Sequence, residues 1–547
     1  MQVTTSTNAG VSKGSAGGSI FPTGKMMAFV LVTAIFFLWG MSNNLTDILV
    51  QQFKKSFELN LLQAQLVQTA VFLAYGTMAI PAALLMSQTS TPTEAAFLEK
   101  PYLQLGDSPR LMTAESLVLM WQTADTPAVW TVDIRDADVE NWRAAEVPVA
   151  HTIAVPGIAR HLVYRAYLTG LAPGQEFHYR VSNAGRAVFE SAATARKSFN
   201  QPYHLVLFGD CAAGTASQRA VAYRASLEKP DFIFIPGDIV YSAGRISEYR
   251  QQFYPVYNAE RASAGVGAPL LRSTPFIAAP GNHDTALANF DRFTDALAYF
   301  FYWDQPMNGP IAPENTARVR HVLNGNEDAQ PAFLAAAEQH YPRMANFSFD
   351  YGNAHWTVLD SNPYMDWTNP ALRDWVAQDL AAARGATWRF VAFHHPGFNS
   401  SKTHFTDQWM RVLSPVFEAG RVDIVFAGHV HNYQRTFPLL FAPVPQPDDQ
   451  MFGPRGEVNG EYKFDKDFVD GSSGAKPKGV IYIVSGAGGA GLYDTNQQAD
   501  PKSWQPFTYK YVADEHSFSV IDVKGRTFHL KQISESGKEV DSFQIVK

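Results

Sequence analysis

The chain has a single cysteine, Cys211, in 547 residues. No intrachain disulfide can form, which neither requires nor excludes an oxidising compartment. A lone thiol beside Asp210 reads as a small buried residue rather than a nucleophile. Charge is also sparse: 17% of residues are Asp, Glu, Lys or Arg and the net charge is -7, so there is no basic footprint and nucleic-acid binding is not expected. A phosphate-cradling loop is missing too, because the Gly-rich turn Ser485–Gly489, after the apolar run Val480–Val484, lacks the Lys-Ser/Thr that would follow it in a P-loop. The chain is rich instead in apolar residues (46%) and aromatics (13%), enough for a large core and several domains.

Local absences of charge are as informative. Residues 1–24 are rich in Ser, Thr and Gly and read as a disordered tail. Met26–Thr46 carries no charged residue, and a second uncharged stretch runs from Leu59 to Thr93. Together they predict a membrane helical hairpin over 25–86, followed by a linker over 87–100. The stretches Phe36-Phe37-Leu38-Trp39-Gly40, Asn43–Leu49, Gln52-Phe53 and Ala79-Ile80-Pro81-Ala82 resemble the first two helices of fucose permease-type sugar:proton symporters. Two helices cannot enclose a transport pathway, so this part is read as an anchor or a fusion relic. Lys13 and Lys25 before the spans, Lys54 and Lys55 between them and Lys100 after are too evenly spread to orient the pair.

Over 101–196 short alternating runs, such as Leu117–Gln122, Val129–Ile134, Leu162–Leu168 and Phe177–Val181, predict an all-β domain with Trp121 in its core. Leu171-Ala172-Pro173-Gly174 followed by Phe177–Val181 resembles the corner of fibronectin type III domains.

The remainder, 197–547, is organised around strand ends. Five apolar runs end in Gly or in a ligand-type residue: Leu205–Phe208 at Gly209-Asp210, Phe232–Ile235 at Gly237-Asp238 with Tyr241 three residues on, Phe276–Ala278 at Gly281-Asn282-His283-Asp284, Phe390–Phe393 at His394-His395, and Ile424–Phe426 at Gly428-His429-Val430-His431. Continuous apolar runs suit strands buried on both faces, and ligands of α/β sheets collect beyond the carboxyl ends of their strands. A lone His-x-His would be weak; five such ends predict one site assembled from distant sequence.

These ordered motifs resemble the calcineurin-like metallophosphoesterases and, among them, the purple acid phosphatases. The resemblance implies a four-layer α/β/β/α core, phosphate ester substrates and a binuclear metal centre bridged by Asp238. Asp210, Tyr241 and His431 would complete one ion, and Asn282, His394 and His429 the other. The first set is hard and anionic and suits Fe(III); the second suits a divalent ion such as zinc, iron or manganese. The ions would lower the pKa of a bound water so that hydroxide attacks phosphorus, with His283 and His404 as outer-sphere groups that hold phosphate or protonate the leaving oxygen.

Relatives in that family often carry two histidines where this chain has Thr403-His404, which leaves part of the substrate clamp open. His395 is expected to be structural, and Asp284 either orients His283 or caps a turn. Pro443–Gly479 reads as a long surface loop or lid. The expectation is a membrane-associated acid phosphatase with an extracytoplasmic catalytic domain. Phosphodiesterase activity at the same metals, or an inactive adhesion or scaffold module, are the alternatives.

Overall fold

The computed structural model describes residues 97–111, 114–310, 318–445 and 450–547. The chain divides into two compact units, Met1–Glu94 and Ala95–Lys547. The tail and the paired spans expected over 25–86 therefore lie outside the described residues. Among the described residues no helix is long and apolar enough to cross a membrane.

A strand begins at Phe97, inside the stretch expected to be linker. Phe97 is held by aromatic contacts with Trp130 at 5.3 Å and Phe189 at 6.1 Å between ring centroids, so the chain is already committed to a core there. Residues 97–194 form two four-stranded sheets. One pairs Phe97–Gln104, Glu115–Ala124, His161–Leu171 and Val149–Ile153; the other pairs Arg143–Ala144, Trp130–Asp136, Glu176–Asn183 and Arg186–Thr194. Alternation decides which face is buried: Trp130, Val132 and Ile134 of one sheet meet Leu117, Leu119 and Trp121 of the other in a shared core. Trp121 is fully buried, stacked on Tyr164 at 5.1 Å.

The rest of this unit is built on two larger sheets. A six-stranded sheet has the order Phe276–Ala279, Phe232–Pro236, Tyr203–Leu207, Ser517–Lys524, Thr527–Ser534, Glu539–Val546. A seven-stranded sheet has the order Phe347–Tyr351, Ala354–Val358, Trp388–Ala392, Ile424–Ala427, Ile481–Ser485, Tyr433–Thr436, Thr508–Val512. Successive side chains point to opposite faces, so apolar strands feed two cores at once. Leu205, Leu207, Phe232 and Phe234 meet Trp356, Phe390 and Phe426 between the sheets. Val206, Ile233 and Ile235 face outward onto Val221, Ala222 and Ala225 of the helix Ala216–Leu227. On the far side Val391 and Val425 pack against Leu372, Val376 and Leu380 of the helix Pro370–Ala382. The result is a helix, sheet, sheet, helix stack in which the parallel strands of both sheets carry the five motifs.

The antiparallel closing strands complete the first sheet, Ser517–Lys524 pairing directly with Tyr203–Leu207. The expected loop Pro443–Gly479 is only partly irregular, because Gly460–Phe464 pairs back onto Leu439–Pro443 and Tyr462 packs on Phe441 at 4.8 Å. The β-rich region is fixed to the larger part by two buried arginines: Arg165 lies 3.0 Å from Asp304, and Arg196, paired with Glu115 through Nε and Nη2 at 2.5 and 3.0 Å, donates from Nη1 to Asp350 O at 3.1 Å.

Candidate metal centre

All seven residues expected as ligands converge beyond the carboxyl ends of strands from both sheets. The turn out of each strand aims them. Among the described residues eleven non-glycine positions have positive φ, and four belong to this cluster: Asp210 (58°), Asp238 (51°), His404 (60°) and His429 (68°). A left-handed residue of this kind typically costs about 1–3 kcal/mol, and such strain gathers where surrounding structure holds a functional side chain in place. Gly237 allows the close approach this needs. Its φ is +87°, and a Cβ there would stand 2.5 Å from Nδ1 of His394.

Two groups of donor atoms result. In the first, Tyr241 Oη lies 3.2 Å from Asp210 Oδ1 and 3.1 Å from His431 Nε2, with His431 Nε2 3.4 Å from Asp210 Oδ1. In the second, His394 Nε2 lies 3.0 Å from Asn282 Oδ1 and 3.2 Å from Asp238 Oδ1. The groups adjoin, since ligand atoms of Asp210, Asp238 and His394 fall within 4.8 Å of one another, as do those of His394 and His429.

Hydrogen bonds fix which nitrogen of each ring faces inward. A carbonyl oxygen can only accept, so Nδ1 of His394 donates to Pro236 O at 2.9 Å and Nδ1 of His431 donates to Gly491 O at 2.7 Å. In the neutral rings Nε2 is then the lone-pair atom, the arrangement typical of metal-ligating histidine. His429 is turned the other way, its Nε2 lying 3.0 Å from Asp407 Oδ2.

The electrostatics agree with a cation site. Burial opposes the charged form of His394, yet Asp238 beside it raises its pKa to about 9. Burial likewise opposes charge on His431, and Asp210 outweighs it in the raising direction. Burial pushes Asp238 up, but His394, His283 and His429 hold it well below the usual carboxylate range. Tyr241 is driven well above its ordinary value by burial and by the charges of Asp210 and Asp238, so a phenolate there requires a strongly acidic ion.

The outer histidines line the mouth. The side chains of His283 and His404 are 24% and 34% exposed, whereas that of His394 is 0%. His283 Nδ1 donates to Ser242 O at 2.7 Å, which leaves Nε2 on the cluster side, 3.9 Å from Asp238 Oδ2. Asp284 does not orient His283. Its carboxylate accepts from Gly281 N at 2.8 Å and Ile239 N at 3.1 Å, tying together the loops that carry Asp238 and Asn282, and burial followed by the charge of Asp238 raises it to about 7. His395 is buried with Nδ1 3.0 Å from Ser361 Oγ, and that oxygen also accepts the backbone N–H groups of His394 and His395, clamping the dipeptide. Cys211 is buried with Sγ donating to Ile239 O at 3.4 Å.

Three participants were not legible in the sequence. Asp407 reaches both His404 and His429 at 3.0 Å, Tyr493 stacks on His431 at 4.0 Å, and Gly486 admits Asp210, whose Oδ2 would stand 2.7 Å from a Cβ there. The Gly-rich turn after Ile481–Ser485 therefore packs against the Asp210 loop.

Residues 203–433 match the calcineurin-like phosphoesterase family. The chain is 24% identical over 334 residues to purple acid phosphatase 23 of Arabidopsis thaliana, covering 56% of this chain and 65% of that protein. It is 24% identical over 419 residues to the probable inactive purple acid phosphatase 1 of the same plant, covering 70% of this chain and 58% of that protein. It thus spans less than two thirds of the length of these relatives. In structure it is similar to purple acid phosphatase PPD1 from yellow lupin (Lupinus luteus) seeds, with a TM-score of 0.54, 16% identity, and 82% of this chain and 74% of that chain covered. A separate stretch of 65 residues, 12% of this chain, is 43% identical to 15% of the L-fucose-proton symporter of Escherichia coli strain K12. The phosphatase likeness implies a binuclear metal centre, and the two adjoining donor groups fit one. The chain carries a calcineurin-like phosphoesterase domain over residues 203–433 and has purple acid phosphatases among its homologues.

Proposed function

We propose that this chain hydrolyses phosphate monoesters at a centre of two metal ions. Asp238 would be the shared ligand; Asp210, Tyr241 and His431 would hold Fe(III), and Asn282, His394 and His429 a divalent ion, zinc, iron or manganese. The observation that carries this reading is the pair of donor groups at 3.0 to 3.4 Å whose inward ring nitrogens are fixed by carbonyls on the far side. Bound there, the ions would supply Lewis acidity and a water of lowered pKa.

The chain's own groups do the rest. The Gly237 and Gly428 turns let His394 and Asp210 approach the backbone closely; His283 and His404, the more exposed members, face an arriving phosphoryl group, and one of them donates a proton to the leaving oxygen. The full donor set favours activity over an inactive scaffold. The catalytic domain is proposed to be tethered by residues 25–86 on the extracytoplasmic side, and protease shaving of intact cells that leaves the domain whole would reject that placement.

Turnover of nitrophenyl phosphate and bis-nitrophenyl phosphate by metal-loaded protein tests the reaction. Preferred hydrolysis of the monoester supports the proposal; preferred hydrolysis of the diester replaces it with a phosphodiesterase, and turnover of neither leaves the scaffold.

A further inference from the structure

Asp407 lies in the loop 402–408, away from every strand-end motif, yet one of its oxygens serves two imidazoles. Oδ2 is 3.0 Å from Nδ1 of His404 and 3.0 Å from Nε2 of His429, and the two rings are 4.0 Å apart between centroids. A carboxylate accepts, so each ring presents an N–H to it. This has a different consequence for each histidine. In neutral His429 the lone pair is left on Nδ1, the reverse of His394 and His431, whose Nδ1 atoms are occupied by Pro236 O and Gly491 O. In His404 the atom left free is Nε2.

Resting on the two-metal reading above, we infer that Asp407 is a positioning residue shared by the centre's two shells, presenting Nδ1 of His429 to the divalent ion and Nε2 of His404 to the substrate. The loop is built to hold it. The backbone N–H of Asp407 donates to His404 O at 3.2 Å, Asn399 Nδ2 donates to the same carbonyl at 3.3 Å, and Gln408 Oε1 accepts from Val458 N at 3.1 Å. His404 itself has φ of 60°, which turns its ring back over His429. Among the described residues nothing comparable reaches the other donor group: His431 is oriented by Gly491 O and Tyr493, and Tyr241 Oη meets Asp210 and His431. A substrate-side histidine and a ligand histidine are thus coupled through one side chain, while the iron half of the site is independent of it.

The test is Asp407→Asn in the full chain, with the affinity for zinc measured by chelator competition. The carboxylate partner of a ligating histidine typically contributes about 10–100-fold in metal affinity, so Asp407→Asn is expected to weaken zinc by that range while the visible band of the iron site keeps its position. His404→Asn should leave zinc affinity unchanged. In activity at saturating zinc, Asp407→Asn and His404→Asn should be non-additive, the double variant falling little below the worse single one. Asp407→Glu, which can still reach both rings, should restore part of the zinc affinity. If Asp407→Asn lowers only thermal stability, or if the two activity losses multiply, Asp407 is a structural loop residue and the inference is wrong. Wild-type protein that binds no metal would instead overturn the two-metal reading itself, so the two failures are distinguishable.

Discussion

His394 Nε2 lies 3.2 Å from Asp238 Oδ1, although the two residues leave strands of different sheets. That contact is where the sheets' functional ends meet. If Asp238 is the shared ligand, its loss disturbs both ions, whereas Asn282 touches only one. Loss of an outer-shell partner commonly costs about 10–100-fold, so Asp238→Asn should lower kcat beyond that range and by more than Asn282→Ala. Equal, mild losses in steady-state assays would remove the bridging role.

The Tyr241 side chain gives an optical prediction. With iron bound, a phenolate at Tyr241 should produce a visible charge-transfer band. Tyr241→Phe keeps the ring packed against His283 at 4.5 Å but removes the oxygen. The band should vanish while the circular dichroism spectrum is unchanged. A Phe variant that stays coloured would reassign the site to two divalent ions.

Gly237 tests the close approach. Gly237→Ala forces an L side chain into φ of +87° and sets its Cβ 2.5 Å from His394 Nδ1, which is itself bound to Pro236 O. The left-handed backbone alone costs about 1–2 kcal/mol. The variant should melt at lower temperature and bind zinc more weakly than wild type; wild-type zinc affinity would show that His394 can move without loss.

A pH prediction arises away from the centre, where His355 sits between Asp350 at 2.7 Å and Asp379 at 3.0 Å. Burial opposes its charge, but these two hydrogen bonds raise its pKa to about 9 from 6.5. A folded-state pKa above the unfolded value stabilises fully below about pH 6.5, and that contribution disappears as pH rises through 9. Its upper size is roughly 3 kcal/mol, at about 1.4 kcal/mol per pH unit. The denaturation midpoint of His355→Asn should therefore lie below wild type at pH 6 and approach it by pH 10. A constant difference across that range would contradict the assignment.

What was legible in the sequence follows the reach of each interaction. The strand-end ligands could be read because a buried strand announces itself by an unbroken apolar run, and Gly marks the turn beyond it, as at Gly237-Asp238 and Gly428-His429. Trp121 was legible for a similar reason, from the alternation around it. Asp407 was not, because it follows no strand, and its only local trace is the three-residue spacing from His404. Its contact with His429 exists only after the Phe390 and Ile424 strands pair. The pairing of Ser517–Lys524 with Tyr203–Leu207 was likewise invisible, since partners so far apart in the chain leave no local pattern. The strand at Phe97 was hidden by the polar stretch before it.

Metal content measures whether the two donor groups hold two ions. Full-length protein incubated with iron and zinc and then desalted should retain close to two ions per chain, with Asp238→Asn retaining less than one. Wild-type protein that comes through the same treatment without bound metal would show that the donor groups are not a metal centre.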